Sequence, residues 1–226
     1  MDGRRISCPR VAAMSHAEDE PTQARRLTKR GLATRDRIVR AAATLMHTRG
    51  VNATTLDDVR IASGTSKSQL YSHFVDKESL VQEVISLQAH EVLERQRQRL
   101  ERLDSIRGLE LWRDAVVRRN ALRNGAYGCE IGSLASELAD QDEAARIALN
   151  DHFSTWQGLL TAGLTRMIDN GVLRPDADPE VLATGVMAAL QGGYLLAQTA
   201  RDVTPMQIAL DMAVAHVKSF ATPPTD

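Results

Sequence analysis

The 226-residue sequence has few cysteines, few aromatic residues and almost no net charge. Its two cysteines, Cys8 and Cys129, cannot form a disulfide framework, which favours a reducing compartment. No apolar run reaches the length of a membrane span, and no signal segment opens the chain, so we expect a cytoplasmic protein without a membrane partner. The histidines include no pair spaced i, i+4, and the sequence therefore predicts neither a metal site nor a cofactor.

The sequence also lacks a recognisable catalytic constellation. Asp57 and Asp58 lie at a predicted helix start, where carboxylates serve as caps. The glycine-rich stretch 125–133 is not a phosphate loop, because no Gly-Lys-Ser/Thr follows it and no strand precedes it. Cys129 has no basic neighbour in sequence, and an ordinary buried thiol and a redox sensor both remain open. An enzyme is therefore not expected.

The charge is unevenly distributed along the chain. Residues 1–75 hold 13 Lys and Arg against 7 Asp and Glu, whereas residues 76–226 hold 15 against 22. A basic front on an acidic body indicates a nucleic-acid surface in the N-terminal part.

The first residues, 1–33, lack hydrophobic periodicity, and we interpret them as a flexible basic arm. Met14 is an alternative start of the chain. A basic cluster lies just before the first predicted helix and consists of Arg25, Arg26, Lys29 and Arg30. Such an arm can follow DNA phosphates or enter a minor groove, and a solvated tail is the alternative.

Capping signals after the first predicted helix, Thr34 to about Arg49, indicate two short helices joined by a tight turn. The pairs Thr54–Asp57 and Ser66–Gln69 each have the spacing of a capping box. Between them, Gly64 can take the left-handed conformation that ends a helix. A helix, a glycine-containing turn and a second helix are the signature of a helix-turn-helix motif.

The second short helix has a face suited to the major groove of DNA. Leu70 and Phe74 lie four residues apart and face inward. The residues left outward are Lys67, Ser68, Gln69, Ser72 and His73. Glutamine can pair with adenine and lysine with guanine at the base edges, which favours a recognition helix. An amphipathic helix with an ordinary polar face is the alternative.

The stretch from Thr34 to about Ile85 resembles the TetR family of one-component bacterial repressors. The residues that carry the resemblance are Thr54-Thr55, Asp58-Val59, Ala62-x-Gly64-x-Ser66, Leu70-Tyr71-x-x-Phe74 and Asp76-Lys77-Glu78-x-Leu80. The chain departs from the commonest family pattern at Arg60, where a small residue is usual, and at Thr65, where valine is usual. Arg60 is free to add a phosphate contact or a salt bridge.

The resemblance implies an all-α fold of two domains. Residues 34–80 would form a three-helix helix-turn-helix DNA-binding domain, and residues 81–221 a helical domain for ligand binding and dimerisation. It also implies that Thr55, Tyr71 and Lys77 grip the DNA backbone on either side of the groove.

The rest of the chain shows helical patterns without a competing strand pattern, giving about nine helices in all. The helix before the last carries small residues on adjacent turns: Gly185, Ala188, Ala189, Gly192 and Gly193. The last helix carries an apolar stripe with two flanking residues: Met206, Ala209, Leu210, Ala213, Val214 and Val217, beside Ile208 and Met212. These features fit packing within the chain, or a homodimer through the last two helices as the family uses.

The body resembles, within this family, the branch that contains lincomycin-resistance and flavonoid-responsive repressors. The carrying residues are Gly128-Cys129-x-x-Gly132-Ser133-Leu134-Ala135-x-Glu137 and Ala189-Leu190-Gln191-Gly192-Gly193. This resemblance implies a small hydrophobic or aromatic effector and an efflux or catabolic target gene.

The large side chains of the body suit either a plain core or the wall of an apolar ligand pocket. We expect the pocket to be lined by Trp112, Val116, Phe153, Trp156, Met187, Gln191 and Tyr194. Gln191 would be a polar group among apolar neighbours, which burial tolerates only with a partner. A contact across the dimer and simple exposure to solvent are the alternatives for Gln191.

The sequence thus predicts a ligand-responsive regulator located at the nucleoid. Most simply, it is a repressor that binds a palindromic operator in double-stranded DNA as a homodimer and is released by an effector. A constitutive architectural DNA-binding protein and a helical enzyme are the alternatives.

Overall fold

The computed structural model of the protein describes residues 28–223, and this part of the chain forms nine α-helices. An isolated antiparallel bridge joins Leu173 to Ala221. The all-α prediction is therefore confirmed. The helices are α1 (Lys29–Arg49), α2 (Leu56–Ser63), α3 (Lys67–His73), α4 (Lys77–Leu100), α5 (Ile106–Ala121), α6 (Glu130–Leu138), α7 (Glu143–Asp169), α8 (Pro179–Ala200) and α9 (Thr204–Lys218).

The first helix begins at Lys29 and not at Thr34, so the predicted boundary of the arm is wrong. The hydroxyl of Thr28 accepts the Gly31 N–H at 3.2 Å and caps the helix. Lys29 and Arg30, assigned above to the arm, are therefore the first helical residues. The apolar periodicity begins later than the capping residue, and the expected start of the helix was placed too late for that reason. Residues 1–27, with Met14, Arg25 and Arg26, lie outside the described residues.

The second helix is capped one residue later than the sequence suggested. The Thr55 hydroxyl accepts the Asp58 N–H at 3.1 Å, and the Asp58 carboxylate accepts the Thr55 N–H at 2.9 Å. Thr54 is buried instead, and its hydroxyl donates to the Gly50 carbonyl at 2.8 Å, closing the turn after α1. The glycine turn is as predicted, with Gly64 at φ 63° and Ser66 capping the next helix.

The first three helices and the front half of α4 enclose one core. Its most buried side chains include Ile38, Val59, Leu70, Phe74 and Leu80. Arg35 ties α1 to this arrangement, because its guanidinium lies 5.2 Å from the Phe74 ring centroid and donates to Glu83 of α4 at 2.8 Å. We call residues 29–76 together with the front of α4 the head.

The rear half of α4 is rich in charged residues, as its sequence suggests, but only partly exposed, with Glu94, Gln98 and Arg99 at the surface. Gln96 and Leu100 are buried, because α6 and α7 pack along this part of α4. Arg166 of α7 donates to the carbonyl oxygens of Leu100 at 2.7 Å and Leu103 at 3.1 Å. The carbonyl group of Leu100, the last residue of α4, thus accepts from a cation, which suits the negative end of a helix.

The last two helices pack tightly within the chain. A Cβ placed on Gly193 would lie 3.0 Å from the Met206 Cα, so this glycine serves the contact of α8 with α9. The predicted apolar stripe of α9 also faces the chain's own core, since Met206, Leu210, Val214 and Val217 are buried. The outward apolar residues of α9 are Ile208 and Met212.

One helix, α8, is long and apolar enough to span a membrane by length and composition alone, contrary to the expectation from uninterrupted runs. The cause is a run of small, apolar and uncharged polar residues between Glu180 and Arg201. A core helix passes the same test, and 44% of this apolar window is buried inside the protein.

Two glycines of α7 should respond oppositely to alanine. A Cβ on Gly163 would lie 2.9 Å from the Leu103 Cβ, whereas a Cβ on Gly158 meets nothing within 4 Å. We predict that Gly163→Ala lowers the free energy of unfolding by about 1–3 kcal/mol through overpacking. Gly158→Ala should raise it by up to about 1 kcal/mol through helix propensity. Urea unfolding followed by circular dichroism measures both, and equal effects would contradict the close contact of α7 with Leu103.

Candidate nucleic-acid interface and ligand cavity

The outward face of α3 is largely the polar set expected from the sequence. Its exposed residues are Lys67, Ser68, Gln69, Tyr71 and Ser72. His73 is only half-exposed, and its Nδ1 atom is buried without a hydrogen-bond partner in the described part of the chain. The exposed face of α3 therefore runs from Lys67 to Ser72, and it includes the N-terminal residues that a recognition helix would present to DNA.

Two of these residues already have roles within the free protein. The side-chain oxygen of Gln69 accepts the Ser66 N–H at 2.9 Å and completes a capping box. A two-point contact of Gln69 with adenine would have to open that hydrogen bond. The Lys67 ammonium lies 6.0 Å from the Tyr71 ring centroid, so the lysine is held along the exposed face.

Of the three residues expected to hold the DNA backbone, Tyr71 lies on the exposed face of α3, and Thr55 and Lys77 lie at two helix N-termini beside it. Thr55 caps α2, and Lys77 is the first residue of α4, where Asp76 accepts the Ser79 N–H at 2.8 Å. Free backbone N–H groups at such termini favour anions. Of the two alternatives for Arg60, the structure shows the salt bridge, to Asp57 at 2.7 Å.

A cavity of about 720 Å³ lies between α4, α5, α7 and α8, with the start of α6 at its edge. Four of the seven residues expected in a pocket line it: Trp112, Val116, Trp156 and Tyr194. Trp112 donates its indole N–H to the Gln96 side-chain oxygen at 2.8 Å, which fixes the ring against α4. The volume lies in the usual range for small-molecule sites, roughly 300–1,000 Å³.

The other three expected residues lie elsewhere. Phe153 and Gln191 line a smaller cavity of about 360 Å³, and Tyr194 belongs to the wall of both cavities. Met187 is buried and lines neither cavity. The residues expected in a single pocket thus lie in the walls of two cavities, and Tyr194 is common to both.

The smaller cavity also contains Cys129, whose surroundings favour an ordinary thiol. Burial raises the pKa of Cys129 to about 11, so the thiol stays protonated near neutral pH. The thiolate is the reactive form, and a redox sensor needs it accessible. The amide nitrogen of Gln191, beside it, is buried and unpartnered among residues 28–223.

Charged residues of the larger cavity were missed by the sequence interpretation. They are Arg95, Arg99, Arg118, Arg119 and Glu130. The Glu130 Oε1 atom accepts from Arg95 at 3.3 Å and from Arg119 at 3.1 Å. Burial alone would raise the pKa of Glu130, but the charges of Arg95 and Arg119 outweigh it and the pKa is lowered. The signal lay in the spacing of Val92, Gln96 and Arg99, which share one face of α4.

Two family models match the chain. The model for bacterial regulatory proteins of the tetR family matches residues 38–84. The model for the C-terminal domain of LmrA/YxaF-like transcriptional regulators matches residues 106–212. The first covers the helix-turn-helix, and the second covers the cavity residues that follow α4, whereas the cavity residues of α4 lie between the two matched ranges.

Individual relatives agree with these matches. The uncharacterized HTH-type transcriptional regulator YxaF of Bacillus subtilis is 27% identical over 85% of this chain and 98% of its own length. The HTH-type transcriptional repressor KstR2 of Rhodococcus jostii is 30% identical over 65% of this chain and 71% of its own. The crystal structure of a TetR transcriptional regulator from Chloroflexus aurantiacus superposes with a TM-score of 0.76 at 25% identity, covering 86% of this chain and 98% of that one.

Replacing either of two lysines on the expected DNA-binding face should weaken DNA binding, each in a different way. We predict that Lys67→Ala, on the outward face of α3, costs roughly 1–3 kcal/mol on the specific site and relaxes its sequence preference. Lys77→Ala, at the α4 N-terminus, should weaken binding to all sequences alike and lower the salt slope by about one for each phosphate that is no longer neutralised. The measurement is a titration of fluorescent DNA, specific and random, over a series of salt concentrations.

Each lysine variant is the control for the other, because both remove one positive charge. Equal losses on specific and random DNA for Lys67→Ala would assign Lys67 to the backbone. An unchanged salt slope for Lys77→Ala would exclude a phosphate contact at that position.

Proposed function

Because the chain belongs to the TetR family of transcriptional regulators, we propose that it represses transcription as a ligand-released homodimer. The dimer binds a palindromic operator in double-stranded DNA through α3 of each subunit, in the cytoplasm at the nucleoid. A small hydrophobic or aromatic effector enters the cavity and releases the DNA. The family and the relatives are transcriptional regulators, and the enzyme alternative is set aside on that ground.

The observation that carries the ligand proposal is the position of the larger cavity. It lies against α4 and α6, and both helices also contact the head. Both tryptophans of the chain, Trp112 and Trp156, line it. An occupant therefore touches the same elements that hold the DNA-binding face.

The helix α6 provides one route from the cavity to the head. Its first residue, Glu130, lines the cavity. Near its other end, the Glu137 carboxylate accepts the backbone N–H groups of Val51 at 2.8 Å and Asn52 at 3.3 Å, in the turn between α1 and α2. A shift of this nine-residue helix would thus change both places together.

The outward surface of α8 and α9 supports the homodimer. Large apolar side chains are exposed on it: Val181, Leu195, Leu196, Ile208 and Met212. Between them on α8, a Cβ at Gly185 or Gly192 meets nothing within 4 Å, so the helix offers a shallow row of small residues to a partner. A second copy of the chain would bury this apolar surface across a two-fold axis.

A charge in this surface should break the dimer. Met212 and Ile147 are both exposed, Met212 on α9 and Ile147 on α7, outside the α8 and α9 surface. We predict that Met212→Glu gives monomers in sedimentation velocity and loses operator binding, because the two heads are no longer joined. Ile147→Glu is the matched control and should stay dimeric. A dimeric Met212→Glu protein would exclude this interface.

Intrinsic fluorescence reports binding of a ligand in the cavity, because both tryptophans line it. We predict that some members of a panel of planar aromatic and hydrophobic compounds quench this fluorescence and also dissociate the operator complex. Glu137→Ala should keep the quenching but lose much of the release, since coupling energies are typically about 1–3 kcal/mol. Glu143→Ala is the control, because Glu143 is an exposed carboxylate of α7 that binds Arg146.

These outcomes distinguish a ligand-released repressor from a constitutive DNA-binding protein. Quenching without any loss of operator affinity favours a constitutive DNA-binding protein. Full release by the same compound in Glu137→Ala would remove α6 from the route and leave α4 as the link.

A further inference from the structure

The larger cavity carries an excess of positive charge over its apolar floor. Four arginines and one glutamate are among its lining residues, namely Arg95, Arg99, Arg118, Arg119 and Glu130. The excess is not a matter of composition, because residues 76–226 hold 15 Lys and Arg against 22 Asp and Glu. Basic residues are therefore gathered here against the charge of the surrounding body.

The single carboxylate does not satisfy these cations. Arg95 and Arg119 share one oxygen of Glu130, and the Nε–H of Arg95 is buried without an acceptor among the residues described. Arg99 and Arg118 are exposed to solvent and have no carboxylate partner within residues 28–223, so their side chains are free to contact a ligand. Burial lowers the pKa of Arg95, as expected for a cation with too little compensating charge. A further anion beside Arg95 would relieve this imbalance.

The apolar side of the same cavity has its own open donor. Trp112 has its indole N–H satisfied by Gln96, but the indole N–H of Trp156 is buried and finds no acceptor within the described range. Trp112, Val116 and Trp156 form an apolar surface next to the arginines. The cavity thus joins an aromatic floor to a cationic edge.

We propose that the effector is an amphipathic organic anion, with an acid group at Arg95, Arg99 and Arg119 and an apolar body on Trp112 and Trp156. This inference rests on the proposed function, since it names the chemical class of the ligand in the same cavity. A neutral ligand of the same shape would remove water from the arginines without returning an acceptor, which is unfavourable. The acid group also competes with Glu130 for Arg95 and Arg119, and Glu130 is the first residue of α6.

A matched pair of fluorescent probes tests the charge requirement. The anion 8-anilinonaphthalene-1-sulfonate and the neutral N-phenyl-1-naphthylamine share one ring system and differ by the sulfonate. With the full-length dimer, we expect the anion to bind about tenfold more tightly, the usual weight of a charge-assisted contact. Energy transfer from the tryptophans to the probe reports binding to the body of the protein, and the arginine variants below test whether the bound probe lies in the cavity. Added salt should weaken the binding of the anionic probe and leave the binding of the neutral probe unchanged.

Three arginine variants give the test its specificity. Arg95→Gln should bring the affinity ratio of the two probes close to one, while Arg97→Gln should leave it unchanged. Arg97 lies on the same helix but pairs with Glu94 and does not line the cavity. Arg99→Gln, at an exposed lining position, gives a second test that does not depend on the folding of the half-buried Arg95 variant.

The results distinguish this inference from the proposed function. Equal affinity for both probes, or an anion preference that survives in Arg95→Gln and Arg99→Gln, overturns the anionic effector. If the neutral probe then releases the operator, ligand control still stands. Failure of both probes to bind with energy transfer from the tryptophans contradicts the cavity as a ligand site, and with it the ligand response itself.

Discussion

The helix α4 packs into one continuous hydrophobic core at both of its ends, in the head and in the body, and the rest of the structure depends on this constraint. Its front buries Leu80 and Val84 among the helices of the head, and its rear buries Val92 and Leu100 among those of the body. At 1.5 Å per residue its 24 residues span about 36 Å without interruption. The α4 residues that line the cavity and those that pack in the head thus lie on one uninterrupted helix.

Local signals made most of the fold predictable. Capping residues and apolar periodicity are read within a few positions, and the nine helices follow from them. One error arises where two neighbours look alike in sequence, as with Thr54 and Thr55. Only burial separates them, since Thr54 is drawn into the turn after α1 and Thr55 is left at the surface as the cap.

The cavity was less predictable, because its walls come from helices that are distant in sequence and its volume depends on how those helices pack. Trp112 and Trp156 were expected in its wall, but nothing local distinguishes them from Met187, which is packed in the core. Arg95 and Arg99 lie in a segment of repeated charges that is typical of a solvated face. Their place beside an apolar floor is set by α5 and α7, which are distant in sequence. Long-range packing thus decides which charges become part of a site.

The proposed ligand would exchange the ion pairs of Glu130, and their free energy can be compared with what a conformational switch requires. A ligand that moves a two-state equilibrium from 1:99 to 99:1 must prefer one state by about 5.5 kcal/mol. Hydrogen bonds to charged groups are worth about 1.5–3 kcal/mol each, and less where the partner is exposed to solvent, as the Arg119 side chain is at 44%. Glu130 makes two such bonds across the cavity edge, which can supply part of that preference. Exchanging these contacts for contacts with a ligand changes what holds the start of α6, while the far end of α6 holds the head through Glu137. In the proposed mechanism, tight binding of the ligand does not by itself release DNA. Release requires that the ligand bind more tightly to the conformation in which the start of α6 is free than to the conformation that binds DNA.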